Sequence, residues 1–220
     1  CYEDAFGQES AFRLGDAAYL VNVTNDGWFG ETVEPYQHMQ LARMRALETG
    51  RYLLRSTNNG LTGIVDPNGK IIKQVTNHWG IDVSPTFSPD GNKIAFVSNR
   101  AGSPQIYLVD LISGREERLT FEGNYNTSPA WSSLNRIAFV SQDDGHFDIY
   151  TMDPNGGRLK RLTEDGGNNE DPCWSPDGRY IVFSSNRKGP YHLYLMNANG
   201  LNQRRITFFK GDQTAPSWAP

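Results

Sequence analysis

Cysteine is scarce: Cys1 and Cys173 are the only two in 220 residues. Two thiols neither build a disulfide framework nor show zinc-ligand spacing, so cysteine usage leaves the redox compartment open. Long apolar runs are missing too. No stretch approaches the roughly 18 residues of a membrane span, and no basic-then-apolar leader precedes Cys1. Excess positive charge is also lacking. The 21 Lys and Arg are outnumbered by 25 Asp and Glu, for a formal net charge of −4, whereas a nucleic-acid-binding surface is normally basic. Neither a glycine-rich phosphate loop nor a G-x-S-x-G nucleophile turn occurs, which removes a nucleotide or serine-hydrolase role for the downstream part. His38, His78, His146 and His192 share no spacing and no carboxylate pattern, so no metal or other cofactor is expected. The acidic runs Asp143-Asp144 and Asn168-Asn169-Glu170-Asp171 lack calcium-loop spacing and read as solvated turns.

Turn formers and aromatics are plentiful. Gly 22 and Pro 12 point to many turns and short strands, and 12% aromatic residues are too many for a disordered chain despite a mean hydropathy of −0.59. Length allows one large domain or two small ones.

From residue 81 the chain repeats itself. Pro85-Thr86-Phe87, Pro129-Ala130-Trp131, Pro172-Cys173-Trp174 and Pro216-Ser217-Trp218 are spaced by 44, 43 and 44 residues. Ile106-Tyr107, Ile149-Tyr150 and Leu193-Tyr194 keep the same step, as do Leu119-Thr120, Leu162-Thr163 and Ile206-Thr207. Each unit reads as four short strands. In the first, the Pro-x-aromatic strand leads through Ser88-Pro89-Asp90-Gly91 to Lys93–Ser98, then Gln105–Asp110, then a strand ending at Leu119-Thr120. Four antiparallel strands in this length are a β-propeller blade. Whole units are expected at about 81–120, 121–163 and 164–207, with 208–220 supplying the first strand of a fourth. Three blades and a strand do not close a ring alone, which leaves self-association as one way to cover the open blade faces. Cys173 is expected to be a small core residue of its strand.

Upstream the pattern changes. Ala18–Val23 is a short apolar strand ended by Asn25-Asp26-Gly27. Pro35 suits a helix start, and the segment to Thr49 carries Leu41, Met44 and Leu47 along one face before Gly50 stops it. Strands follow at Tyr52–Thr57, Leu61–Val65 and Lys70–Val75, joined by Asn58-Asn59-Gly60 and Asp66-Pro67-Asn68-Gly69.

The repeat half, through Phe87-Ser88-Pro89-Asp90-Gly91, Ser103–Tyr107, Arg118–Asn124 and Ala215-Pro216-Ser217-Trp218, resembles the C-terminal propeller of the TolB family of the Tol–Pal envelope system. The first half, through Cys1-Tyr2-Glu3, Asn25–Gly30, Glu34–His38, Ala42–Arg51 and Thr57–Gly60, resembles apolipoprotein N-acyltransferases, which belong to the nitrilase superfamily. The fold expected is therefore mainly β: a partial β-propeller of about three four-stranded blades plus one strand of a six-bladed ring, preceded by an α/β nitrilase-like fragment. The division expected is residues 1–79 and 80–220. Two envelope families joined near Asn77 to Gly80 read as a splice of partial segments.

The resemblance implies roles. Cys1 would be the acyl-accepting nucleophile, with Tyr2 and Glu3 at positions the family needs. The family's Glu base and Lys come from sequence upstream of the nucleophile, and a thiol without them forfeits orders of magnitude in rate. Catalysis is therefore not expected, with thiol-dependent N-acyl transfer through Cys1 as the alternative. A lipidated or N-terminal-nucleophile Cys1 is also open. Trp28 and Phe29 would line an acyl pocket or simply cap a loop. The propeller is expected to bind protein through the loops before its first strands, at Asn124, Tyr125, Asn126 and Thr127 and at Asn168, Asn169, Glu170 and Asp171. By resemblance, the partner is the peptidoglycan-associated lipoprotein Pal and the location the periplasm of a Gram-negative cell. No nucleic acid and no membrane span are implied.

Overall fold

The computed structural model describes residues 18–24, 32–57, 60–78, 81–143, 145–164 and 166–218. The chain divides into two compact units, residues 1–83 and 84–220.

In the first unit, β1 (Tyr19–Thr24) is followed by α1 (Glu34–Thr49), β2 (Tyr52–Thr57), β3 (Gly60–Val65) and β4 (Ile71–His78). Strand order matches chain order. β1 runs parallel to β2, with Tyr19 opposite Tyr52 and Thr24 opposite Thr57, and the later pairs are antiparallel. Parallel neighbours need a crossover, and α1 supplies it. Pro35 occupies the first turn of α1, where its missing N–H is not needed, and Gly50 at φ 61° ends the helix by donating to the Ala46 carbonyl.

The packed face of α1 differs from the sequence expectation. Met39, Ala42 and Ala46 are buried, while Met44 and Leu47 are exposed and Leu41 is half-buried. The alanines let the helix backbone approach Leu53, Leu61 and Val65 of the sheet, a contact that a search for large apolar residues overlooks. The Asp66–Gly69 turn is tied to the helix, since Arg43 Nε donates to the Gly69 carbonyl at 2.6 Å.

The second unit is built from three four-stranded antiparallel meanders. The first comprises β5 (Asp82–Phe87), β6 (Lys93–Ser98), β7 (Gln105–Asp110) and β8 (Glu116–Arg118). The second comprises β9 (Tyr125–Trp131), β10 (Ile137–Asp143), β11 (His146–Met152) and β12 (Lys160–Arg161). The third comprises β13 (Asn169–Trp174), β14 (Tyr180–Ser185), β15 (His192–Asn197) and β16 (Arg204–Arg205). These are the three blades expected. Residues 206–218 carry no strand, contrary to the expectation that they begin a fourth blade. A strand is a pairing, and this segment has no ladder partner among the described residues.

Neighbouring blades share apolar cores. Ala138, Val140, Ile149 and Leu162 of the second blade pack with Trp174, Ile181, Phe183, Tyr194 and Met196 of the third. Trp174 also spans the seam, its indole N–H donating to the Ala130 carbonyl at 3.1 Å. Cys173, on the alternate face of β13, is half-buried rather than core.

A polar staple repeats alongside the apolar seam. In the second blade Asp148, 2% exposed, accepts from Thr163 Oγ1 at 2.6 Å and from Asn169 Nδ2 of the third blade at 2.9 Å. Thr163 Oγ1 in turn accepts from the Ile149 N–H at 2.9 Å, so β11, the blade's end and the next blade's first strand are joined at one point. One step earlier Gln105 takes the place of Asp148, accepting from Thr120 at 2.8 Å and Asn126 at 2.9 Å. One step later His192 Nδ1 meets Gln213 Oε1 at 2.6 Å.

The hairpin between a blade's first two strands also repeats. Ser88, Ser132 and Ser175 are buried, and each hydroxyl accepts a backbone N–H from the start of the next strand, at 2.9, 3.1 and 3.0 Å. In the third blade, Ser175 Oγ donates to Asp177 at 2.6 Å and the Arg179 N–H donates at 3.1 Å. These bonds, that from Ser175 foremost, hold the Asp177 carboxyl down at about 2.

Two stability predictions follow from these contacts. Asp148→Ala strands the donors of Thr163 and Asn169 and the cation of Arg161, whose Nη2 donates to Asp148 Oδ2 at 2.5 Å, and lowers unfolding free energy by about 3 kcal/mol. Urea denaturation checks this, and a shift smaller than ~1 kcal/mol would remove the staple from the list of main supports. Because the folded Asp177 pKa lies below its ordinary value of 3.8, the stability that its charge contributes is present above that value and lost as pH falls toward 2. Asp177→Asn therefore melts below the wild type at neutral pH, and the gap in Tm closes between pH 4 and 2; a constant gap refutes the assignment.

Candidate functional site

The first strand of each blade contains a proline preceded by a residue in the left-handed region. Ser84, Ser128, Asp171 and Ala215 have φ of 53°, 50°, 53° and 51°. Each precedes Pro85, Pro129, Pro172 or Pro216. Non-glycine residues held there are strained by roughly 1–3 kcal/mol each. In the second and third blades the strand pairing shifts register at this point, so the strand is bulged where it approaches the preceding loop. The side chains at the bulge differ from blade to blade. Val83-Ser84, Thr127-Ser128, Glu170-Asp171 and Thr214-Ala215 occupy one backbone conformation with four chemistries.

The third blade carries the charged version. Glu170 is half-buried, burial pushes its carboxyl up, and it accepts from the Tyr191 hydroxyl at 3.1 Å. Burial also pushes the Tyr191 phenol up. Asp171 Oδ2 accepts from the Ala215 N–H at 3.2 Å and from Ser184 Oγ at 3.4 Å. The Tyr191 N–H donates to Asp212 at 2.8 Å. Glu170, Asp171 and Asp212 thus form an acceptor-rich patch linking the third blade to residues 212–215. Tyr191 and Asp212 were not singled out from the sequence. The signal was positional, since Tyr191 stands one repeat after Phe147 and two after Pro104.

The remaining expected site residues divide by burial. Asn124 and Tyr125 are exposed, Thr127 and Asn168 are half-buried, and Tyr125 meets Phe147 edge-on at 5.7 Å. Asn168 is committed to its loop, its N–H donating to Asn186 at 2.7 Å and its side chain accepting from the Phe147 N–H at 3.3 Å. Asn126 and Asn169 are 1% and 0% exposed and belong to the staples, so the structure gives them a scaffold role. Cys1, Tyr2, Glu3, Trp28 and Phe29 lie outside the described residues. Among the described residues no three His, Cys, Asp or Glu side chains are grouped to hold a metal ion, and no helix is long and apolar enough to cross a membrane.

Comparison with known proteins finds two families whose matches overlap. Residues 1–85 match the carbon-nitrogen hydrolase family. Residues 50–220 match the TolB beta propeller domain. The overlap contains the turn Asp66-Pro67-Asn68-Gly69, which has the sequence and the backbone bonds of Asp153-Pro154-Asn155-Gly156 in the second blade. The chain is 67% identical over 70 residues to the apolipoprotein N-acyltransferase of Methylococcus capsulatus, covering 32% of this chain and 14% of that protein. Against the corresponding protein of Nitrosomonas europaea it is 55% identical over 128 residues, covering 58% and 25%. The TolB structure from Acinetobacter baumannii superposes with a TM-score of 0.59 at 33% identity, over 69% of this chain and 38% of that one. The chain therefore spans a quarter or less of these acyltransferases and well under half of that TolB. With three repeated blades and a family match running from residue 50 to residue 220, the chain belongs to the TolB β-propeller family.

Proposed function

We propose that the second unit is a protein-interaction module of the bacterial periplasm, that its partner is the peptidoglycan-associated lipoprotein Pal, and that the first unit contributes no catalysis. The observation that carries the reading is the left-handed residue before each of the four repeat prolines, with a strand bulge there in the second and third blades. A fixed, strained backbone presents variable side chains at matching sites, and strain persists where the surrounding structure over-determines it. Repetition of the scaffold with divergence at one point is the pattern of a surface that reads a partner, and propeller loops are suited to docking. On this reading Asn124, Tyr125 and Thr127 contact the partner at one bulge. Glu170 and Asp171, helped by Asn168, accept hydrogen bonds from it at the next.

Titration calorimetry with purified Pal tests the proposal. Glu170→Gln combined with Asp171→Asn removes both charges while keeping side-chain shape, and weakens binding about tenfold, the size expected for one good charged contact. Since burial raises the Glu170 pKa, its charge is lost at a higher pH than for an ordinary carboxylate, and the difference between wild type and variant narrows early on acidification. Absence of any heat with Pal refutes the choice of partner.

The 67% identity over 70 residues to an apolipoprotein N-acyltransferase favours a second reading, in which Cys1 accepts and transfers an acyl chain. A silent first unit predicts that wild type and Cys1→Ala give the same background in an apolipoprotein N-acylation assay. Transfer that depends on Cys1 would establish the second reading instead.

A further inference from the structure

Each blade contains a Phe–Tyr pair on its second and third strands, and in two of the three that pair is covered by the blade's own arginine. In the first blade the Arg100 guanidinium lies 5.5 Å from the Phe96 ring centre and 4.9 Å from that of Tyr107. Its Nε donates to Ser98 Oγ at 2.8 Å, and its Nη1 pairs with Glu116. In the third blade Arg187 lies 5.4 Å from Phe183 and 4.7 Å from Tyr194. Its Nε donates to Ser185 Oγ at 2.9 Å, its Nη1 to Gln203 at 2.7 Å and its Nη2 to Asn169 Oδ1 at 2.7 Å. Cation–π contact and a ring of fixed acceptors make a complete guanidinium socket.

The second blade keeps the socket and lacks the arginine. Phe139 and Tyr150 form the same pair, 5.8 Å apart. Ser141 stands where Ser98 and Ser185 stand, and Asn126 where Asn169 stands. At the arginine's position the sequence has Asp143, and at that of Glu116 and Gln203 it has Leu159. The backbone differs as well. β10 continues to Asp143, paired with His146, where the sister chains have left their strands by Asn99 and Asn186.

A cavity of about 500 Å³ opens at this place, lined by Phe139, Tyr150, Ser141, Asn126, Leu159 and Glu122 among others. That volume is within the range of small-ligand sites. Ser141 is 6% exposed, and its hydroxyl makes no hydrogen bond among the described residues. Asn126 spends its amide N–H groups on Gln105 and the Glu122 carbonyl, at 2.9 Å each, which leaves Oδ1 as an acceptor. Arg158 also borders the cavity but does not fill it. Its side chain is 80% exposed and pairs with Asp153 at 3.4 Å.

We infer that the second-blade cavity is a binding site for a guanidinium group, supplied by free arginine or by an arginine side chain of a partner protein. Tyr150 takes its face with the buried Phe139 ring behind, Ser141 Oγ and Asn126 Oδ1 accept its N–H groups, and Glu122 adds negative charge at the edge. The site stands on different residues from the surface proposed for Pal, with Asn126 lying between Tyr125 and Thr127 in β9.

The test is an NMR titration of the whole chain with L-arginine, with the peptide Gly-Arg-Gly, and with the citrulline counterpart of that peptide. The expected result is saturable shifts at Asn126, Phe139, Ser141 and Tyr150, with citrulline binding at least tenfold more weakly. Stronger binding of the peptide than of free arginine assigns the guanidinium to a protein partner, and the reverse assigns it to the amino acid. Ser141→Ala weakens arginine binding about tenfold without changing the fold. A triple variant, Gln142→Asn with Asp143→Arg and Asp144→Lys, reproduces the Asn186-Arg187-Lys188-Gly189 loop; it raises Tm and abolishes the titration by filling the cavity from within. Equal response to arginine and citrulline, or binding that Ser141→Ala leaves unchanged, overturns the inference whether or not the triple variant folds.

Discussion

A buried acceptor on the third strand of the first and second blades holds that blade's own end and the beginning of the next blade at the same time. Gln105 and Asp148 occupy this point, with Thr120 and Thr163 on one side and Asn126 and Asn169 on the other; in the third blade His192 Nδ1 donates to Gln213 Oε1, while Thr207 accepts from the Leu193 N–H. Apolar contact between twisted sheets is tolerant of sliding, because burial is proportional to area and carries no direction. Hydrogen bonds have direction, and a buried polar group without its partner is expensive. The staple therefore converts adhesive blade faces into a single register.

Much of this could be read from the chain itself. The 43- and 44-residue steps gave blade number and strand order, because a repeat of that length with one Pro-x-aromatic triplet and one Leu/Ile-Thr pair per unit has few architectural solutions. The Thr of that pair proved to be a staple member, so the landmark was also a structural part. Asn126 and Asn169 read as binding-surface residues because the segments around them vary, yet both are buried. Their own step of 43 residues, continued by Gln213, marked them as a constant inside the variable segment. Position in the period was a better guide to burial than polarity.

Other features lay beyond the reach of sequence pattern. The buried face of α1 is made by Ala42 and Ala46, since close approach of helix to sheet favours small side chains over the larger Leu47 and Met44. The lack of a strand in 206–218, despite Pro216-Ser217-Trp218, reflects that β-structure is defined by a neighbour and not by a local preference. Yet Ala215 takes the same left-handed conformation as Ser84, Ser128 and Asp171. Local geometry at the proline is thus encoded by the segment and its contact with the preceding blade, while the ladder is not.

That separation explains how one scaffold supports unlike chemistry. The staple and the hairpins fix where the strained residue sits, and nothing in either requires a particular side chain there. Serine, aspartate and alanine all occupy it, and the neighbouring position ranges from Val83 to Glu170. The aromatic pairs follow the same logic on a different face. Phe139 and Tyr150 have the spacing of their counterparts without a covering arginine, since their positions are set by strand pairing and not by the cation. A blade can therefore lack the covering arginine, hold a cavity beside its aromatic pair, and keep its fold.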